Sequence, residues 1–200
     1  IQSDSANSQF VIQDLNNVIV TAIAGATGST TTLITIPFSA VTGSIILVNT
    51  LAGDDNLTLD FSLGDFAKAV QYNGGAQTSG DSLALTGGTF ATAVFNYENA
   101  NDGSIALPGN AAITYIGLEP ITSTLSVVDM SLNYSATAET ITVSGAGAGM
   151  TRVTSTAAET TTFNNPSGSL TINAGDTGDD AISITGVGSG FAANLIVDGQ

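Results

Sequence analysis

Three short stretches place hard oxygen donors on turns that could aim them. Gly53-Asp54-Asp55-Asn56-Leu57, Gly80-Asp81-Ser82-Leu83 and Gly178-Asp179-Asp180-Ala181-Ile182 each set aspartate between a glycine and the first apolar residue of a β-like run. Calcium takes about six to eight oxygen ligands, and neighbouring turns can supply carboxylates and carbonyls together. The calcium-binding nonapeptide repeat reads G-G-x-G-x-D-x-U-x, with U a large apolar residue. Asp55 and Asp180 fall in its ligand position, and Gly175 partly completes the first half of the later copy. Gly74-Gly75 begin a third copy, but extra residues precede Gly80-Asp81. The candidate metal ligands are therefore Asp54, Asp55, Asp81, Asp176, Asp179 and Asp180, and the ion is Ca²⁺. No two full nonapeptides stand in tandem, so Asx turns with solvated carboxylates are the competing reading.

Other chemistries are narrowed by what the chain lacks. It has no histidine and no cysteine, which removes disulfides, ordinary zinc sites and the His-assisted nucleophiles. Paired carboxylates for glycoside hydrolysis remain formally available at Glu98/Asp102, Asp129/Glu139 and Glu159. Sugar clefts favour aromatic platforms, however, and there is no tryptophan. The expectation is that the chain is not an enzyme, with a carbohydrate-active β-helix as the rival. Seventeen acidic residues face two basic ones, Lys68 and Arg152, for a net charge of −15. Such a surface repels nucleic acid and anionic lipid and attracts cations. The two cations are expected to neutralise local acids. Asn56-Leu-Thr58 and Asn133-Tyr-Ser135 are glycosylation sequons, so glycans are candidate partners.

The elements that must carry these turns are short strands. Val18-Ile-Val20, Leu33-Ile-Thr-Ile36, Ile45-Ile-Leu-Val48, Leu57-Thr-Leu59 and Leu83-Ala-Leu85 are followed by nine more such runs, ending at Leu195-Ile-Val197. Each alternates as a strand requires, between Gly, Asn, Asp and Ser. Helical periodicity is nearly absent; only residues 63–70 allow a short helical turn. Ten per cent charged against 42% hydrophobic residues argues against disorder. No apolar run is long enough for a membrane span. Neighbouring strands start 12 residues apart at 45 and 57 and at 170 and 182, and 13 apart at 182 and 195. This spacing predicts an all-β, right-handed parallel β-solenoid whose short strands stack as rungs, with a β-sandwich as the alternative. Residues 1–16 read as an N-terminal arm or cap, and residues 17–200 as the solenoid repeat domain.

The chain resembles the β-strand-repeat modules of giant secreted or surface bacterial proteins of the planctomycete type. The resemblance runs from about residue 45 to the C-terminus. It is carried by Gly53-Asp-Asp-Asn-Leu-Thr-Leu-Asp60, Leu85-Thr-Gly-Gly-Thr-Phe90 and Asn99-Ala-Asn-Asp-Gly-Ser-Ile105. Ile113-Thr-Tyr-Ile-Gly-Leu-Glu-Pro-Ile121 is the most specific block, and 164–175 and 190–199 continue the series. The resemblance implies an extracellular or cell-surface structural role and no reaction. The first 44 residues carry no match.

The expected function is a structural repeat subunit that stacks head-to-tail into a filament or layer, stabilised by calcium. An adhesin-like module gripping a glycan or host surface is the alternative. Phe10-Val-Ile12 reads as a spare strand in the arm, and Leu195-Ile-Val197 as an open edge running into a turn. Each chain's arm would complete its neighbour's edge, giving a homo-oligomer or filament. The absence of a leader and the first residue Ile suggest a processed chain or a segment of something longer.

Overall fold

A computed structural model describes residues 1–135, 138–175 and 178–199. Among them the chain forms strands β1 (Gln2–Asp4), β2 (Gln9–Gln13), β3 (Leu33–Pro37), β4 (Ile45–Asn49), β5 (Asn56–Asp60) and β6 (Ala69–Asn73). There follow β7 (Ser82–Thr86), β8 (Thr89–Tyr97), β9 (Gly103–Ala106), β10 (Ile113–Ile116), β11 (Ile121–Ser123) and β12 (Ser126–Asn133). The last six are β13 (Thr140–Gly145), β14 (Met150–Ser155), β15 (Thr161–Asn164), β16 (Ser169–Asn173), β17 (Ala181–Ile184) and β18 (Asn194–Asp198). The chain is all-β. Among the described residues the one helical piece is a 3₁₀ turn at Phe38–Ala40, and residues 63–70 form turns and the start of β6.

The strands make two mixed sheets. One runs β17-β13-β14-β15-β11-β7-β5-β1-β2-β3 and the other β18-β16-β12-β8-β9-β10-β6-β4. From β4 to β8, successive strands alternate between the sheets, so a strand's parallel neighbour comes two strands later. Leu57 therefore sits beside Leu83, 26 residues on, Ile46 beside Val70, 24 on, and Leu170 beside Leu195, 25 on. This corrects the expectation that strands 12 or 13 residues apart stack on one another. That interval carries the chain across to the other sheet, and twice it returns to the first. Besides β2, which runs antiparallel to β1 and β3, one antiparallel strand is inserted in each sheet, β9 between β8 and β10 and β14 between β13 and β15. They lengthen the interval between parallel neighbours to 43 for Val70 and Ile113 and 40 for Ile121 and Thr161.

The two inner faces bury one apolar core. Leu59, Leu83, Leu85, Ile121, Val143, Val153 and Phe163 line it from the larger sheet, and Val70, Phe95, Ile113, Leu132, Leu170 and Ile172 from the smaller. Alternate residues point inward, the consequence of the two-residue strand period. Phe61 meets Phe66 and Phe90 edge-on, at 5.3 and 5.5 Å between ring centres. In the smaller sheet, asparagines occupy one row. Asn133 Nδ2 donates to Asn96 Oδ1 at 2.8 Å, and Asn173 Nδ2 donates to Asn133 Oδ1. A chain of amides in register pins the alignment of β8, β12 and β16.

Residues 1–16 belong to the larger sheet. β1 pairs with β5, and β2 pairs with β1 on one side and β3 on the other. Phe10-Val-Ile12 is thus not a spare strand, because both of its edges are already bonded. Phe10 also packs on Phe38 and Phe66, with centroids 4.6 and 6.5 Å away.

Candidate functional site: a seam of carboxylates and tyrosines

The starts of the larger sheet's parallel strands carry acids at one register. Leu57, Leu83, Ile121 and Thr161 lie side by side, and Asp55, Asp81, Glu119 and Glu159 each stand two residues earlier. Glu139 and Asp180 hold the same offset before the paired residues Ile141 and Ile182. Backbone bonds extend the ladder through these turns: Ser82 N donates to the Asp55 carbonyl, Glu119 N to that of Asp81, and Ala181 N to that of Glu139. A side chain two residues before an inward one lies on the same face. Burial follows that geometry: Asp81, Glu139 and Glu159 are buried, Asp55 and Asp180 are half-buried, and only Glu119 is exposed.

The smaller sheet faces this row with phenols. All four tyrosines of the chain fall along one line. Tyr72 pairs with Tyr115, both Tyr115 and Tyr97 pair with Gly103, and Tyr134 follows the Asn96–Asn133 pair, so it lies beside Tyr97. The Tyr97 and Tyr134 rings are 4.8 Å apart. Gly103 is required here, since a Cβ on it would sit 2.3 Å from the Tyr115 hydroxyl. The Tyr97 hydroxyl crosses the core to Thr161 Oγ1 at 2.6 Å.

Two joints repeat one device. Asp81 Oδ1 accepts the Asp55 N–H at 2.7 Å, and Asp180 Oδ1 accepts the Glu139 N–H at 2.9 Å. The later strand's carboxylate caps the earlier strand's turn and leaves its second oxygen buried. Asp55 Oδ2, Asp81 Oδ2, Asp180 Oδ2, Glu139 Oε1, both oxygens of Glu159, and the hydroxyls of Tyr72, Tyr115 and Tyr134 are buried without a hydrogen-bond partner. Among the described residues, Ser123 Oγ is the one other such atom. Native interiors rarely leave polar groups so, and clustering along one seam marks a place where charge must be answered by a proton, a cation or water.

The electrostatics agree. Burial pushes the Glu159 carboxyl up to about 8, and Asp102 and Glu119 add repulsion. Burial likewise raises Glu139, opposed by the hydrogen bond from Ser155 and reinforced by Asp180. Tyr72, Tyr115 and Tyr134 are all held protonated by burial, with Asp81 and Asp55 acting on Tyr72, Glu159 on Tyr115, and Glu139 and Glu159 on Tyr134.

The residues expected to bind metal are divided by this arrangement. Asp55 and Asp81 come together, and Asp180 joins Glu139. Asp54 Oδ1 instead accepts backbone N–H groups of Thr78, Ser79 and Gly80, which hold its carboxyl below the usual range. Asp179 is exposed, and Asp176 lies outside the described residues. No group of three or more carboxylates disposed around one point occurs among the described residues, so any ion must take oxygens of other kinds as well. Of the acids weighed for sugar chemistry, Glu98 and Asp129 are exposed, Asp129 accepts from Ser169 Oγ, and Asp102 Oδ1 accepts the Gly117 N–H. Lys68 Nζ donates to the Gly43 carbonyl and Arg152 Nε to Thr162 Oγ1, away from the seam. Of the sequons, exposed Asn56 bonds Ser82 Oγ, while Asn133 is committed to the amide row. The tyrosines, Glu119, and the Glu139 and Glu159 joints were missed as members of one site. Their signal was an acid two residues before each inward residue that opens a strand.

No family model, curated protein or solved structure matches this chain.

Proposed function

We propose that this chain is a structural module, a β-solenoid flattened into two sheets, that adds end to end within an extracellular or cell-surface assembly. The observation that carries the reading is the open core at β17 and β18. Ile184 pairs with fully buried Val143, and Val197 with fully buried Ile172, so both point inward. They are nonetheless 50% and 41% exposed. The edges also match in direction. In the larger sheet β17 and β3 run parallel, and in the smaller sheet so do β18 and β4. A second copy added at β18 through its own β4 would continue the parallel ladder. The outer edge of β3 is partly blunted, because Thr27 exchanges backbone bonds with Thr35. The β4–β18 contact is therefore the main joint, replacing a donated Phe10–Ile12 strand. Exposed Ile45 and Leu47 add apolar surface there. Composition and the family resemblance support the surface location, and the role involves no reaction.

The test is sedimentation velocity over a concentration series with electron microscopy of the concentrated protein. Concentration-dependent rods or sheets are expected, and the double change Ile184→Lys with Val197→Lys should abolish them while leaving the β-sheet circular dichroism intact. Dispersed monomers at every concentration sink the proposal.

A further inference from the structure

We infer that the Asp55–Asp81 joint is an interior site for one hard divalent cation of the calcium class, completed by the Tyr72 hydroxyl and the Gly117 carbonyl. The site does not depend on stacking, since every ligand belongs to one chain. Its ligands come from four neighbouring strand ends. Asp55 and Asp81 stand at the starts of β5 and β7, Tyr72 lies within β6, and Gly117 directly follows β10. Asp81 is fully buried, and its Oδ2 has no hydrogen-bond partner; neither has Asp55 Oδ2. The Tyr72 hydroxyl is the independent indication. Its residue is fully buried, Thr50 lies beside it without a well-formed bond, and the two aspartates are the charges that act on it. A phenol donating a good hydrogen bond to either carboxylate would satisfy both groups. Neither bond is made, so all three buried oxygens are left for a further partner.

Gly74 lets the Asp81 carboxylate and the Gly117 carbonyl approach one another closely. A Cβ placed on Gly74 would lie 2.3 Å from Asp81 Oδ2 and 2.7 Å from the Gly117 carbonyl oxygen. Two oxygens thus converge beside a residue with no side chain. Thr50 Oγ1 donates to the Gly74 carbonyl at 2.9 Å and fixes this corner. The Asp55 N–H and the Gln77 side chain, which accepts the Asp81 N–H, hold the aspartates in place. A surface cleft of about 290 Å³ lined by Asn49, Leu51, Asn73 and Gly75 lies on the other side of this strand end. Two carboxylates, a carbonyl and a phenol make a set of hard oxygens, suited to calcium and unsuited to soft metals.

Terbium(III) is the probe. It substitutes for calcium, and its emission is sensitised by nearby tyrosine; with no tryptophan present, the four tyrosines are the antennae. Titration of dilute, chelator-stripped protein should give saturable green emission at one strong site, displaced by calcium and not by magnesium at equal concentration. Asp81→Asn should remove the strong phase. Tyr72→Phe keeps the ring and the packing, loses one ligand oxygen, and should weaken calcium binding by calorimetry on the order of tenfold. Asp179→Asn, at an exposed turn, should change neither. Emission that survives Asp81→Asn or Tyr72→Phe but falls with Asp179→Asn would place the ion on the surface turns and overturn the inference. So would the absence of any saturable binding. Should Asp81→Asn fail to fold, Tyr72→Phe decides alone. Because the protein is dilute, a failure here leaves the stacking test untouched.

Discussion

Replacing Glu159 with glutamine should stabilise the protein, and increasingly so as pH rises. Glu159 is fully buried and neither carboxylate oxygen makes a well-formed hydrogen bond; its own backbone N–H and the nearby Tyr115 hydroxyl only partly offset the burial, and Asp102 and Glu119 repel its charge. Burial lifts its carboxyl from 4.5 to about 8. The folded state therefore binds this proton more tightly than the unfolded chain does. The stabilisation is complete below the unfolded value and is lost as pH rises through the folded one. A shift of that size corresponds to about 5 kcal/mol at full ionisation, at about 1.4 kcal/mol per unit. About 3 kcal/mol of it is already gone at pH 7 and under 1 kcal/mol at pH 5. Glutamine has the same shape and no charge to desolvate, so Glu159→Gln escapes the loss, less the cost of burying its amide. Urea denaturation in chelator at pH 5, 6, 7 and 8 measures the difference. The variant should match the native protein near pH 5 and exceed it by about 2 kcal/mol at pH 7. A gap that stays flat with pH, or a glutamine variant less stable at pH 8, would show that the carboxylate is held ionised and the reasoning is wrong.

Three further outcomes probe the frame around the seam. Leu85→Ala, at a fully buried position of β7, should cost about 2–5 kcal/mol in the same urea assay, with unchanged strand content. Asn133→Ala removes the middle of the amide row and should cost about 1–3 kcal/mol, more than the same change at exposed Asn56. Gly103→Ala drives a methyl into the Tyr115 hydroxyl and the Asn96 carbonyl, 2.3 and 2.4 Å from the ideal Cβ. It should cost about 1–3 kcal/mol and alter the near-ultraviolet tyrosine signal, which Gly43→Ala, whose Cβ meets only the Ile45 carbonyl oxygen at 3.9 Å, should leave alone.

The strands were legible because burial on one face writes a two-residue alternation that needs no partner to be read. Leu83-Ala-Leu85 and Leu170-Thr-Ile172 are cases, each with both apolar residues buried in the structure. Which strand pairs with which was not legible, because parallel neighbours are 24 to 58 residues apart and only the sequence-local half of the shorter intervals is visible as a rhythm. The antiparallel insertions hid it further. β9 begins at Asp102-Gly103, which reads as a hairpin turn, and it does join β8 to β9. Nothing local marked it as an interruption of a parallel series. The same limit explains the site. Asp54 and Asp55 are chemically identical neighbours in one turn, yet alternation sends Asp55 toward the core and leaves Asp54 to collect backbone N–H groups on the surface.

That alternation also explains why the acids are tolerated at all. An aspartate two residues before an inward leucine must itself point inward, and a run of such positions stacks like charges along one seam of a chain with a net charge of −15. Proteins usually relieve such stacking with lysine or arginine. Here Lys68 and Arg152 bond a carbonyl and a threonine elsewhere. The tyrosine row cannot supply the missing charge, since phenols held protonated by burial offer only hydroxyls. Two answers remain, and the seam has room for both. Glu159, wholly buried and crowded by other carboxylates, is the place for a proton. The Asp55–Asp81 joint, where a buried oxygen of each aspartate and the Tyr72 hydroxyl have no partner, is the place for an ion. The pH series in chelator and the terbium titration read these two answers separately. Adding calcium to the urea series should raise the stability of the native protein and of Glu159→Gln by the same amount. Stabilisation confined to the native protein would mean that the ion sits at Glu159, and the division of labour along the seam would have to be redrawn.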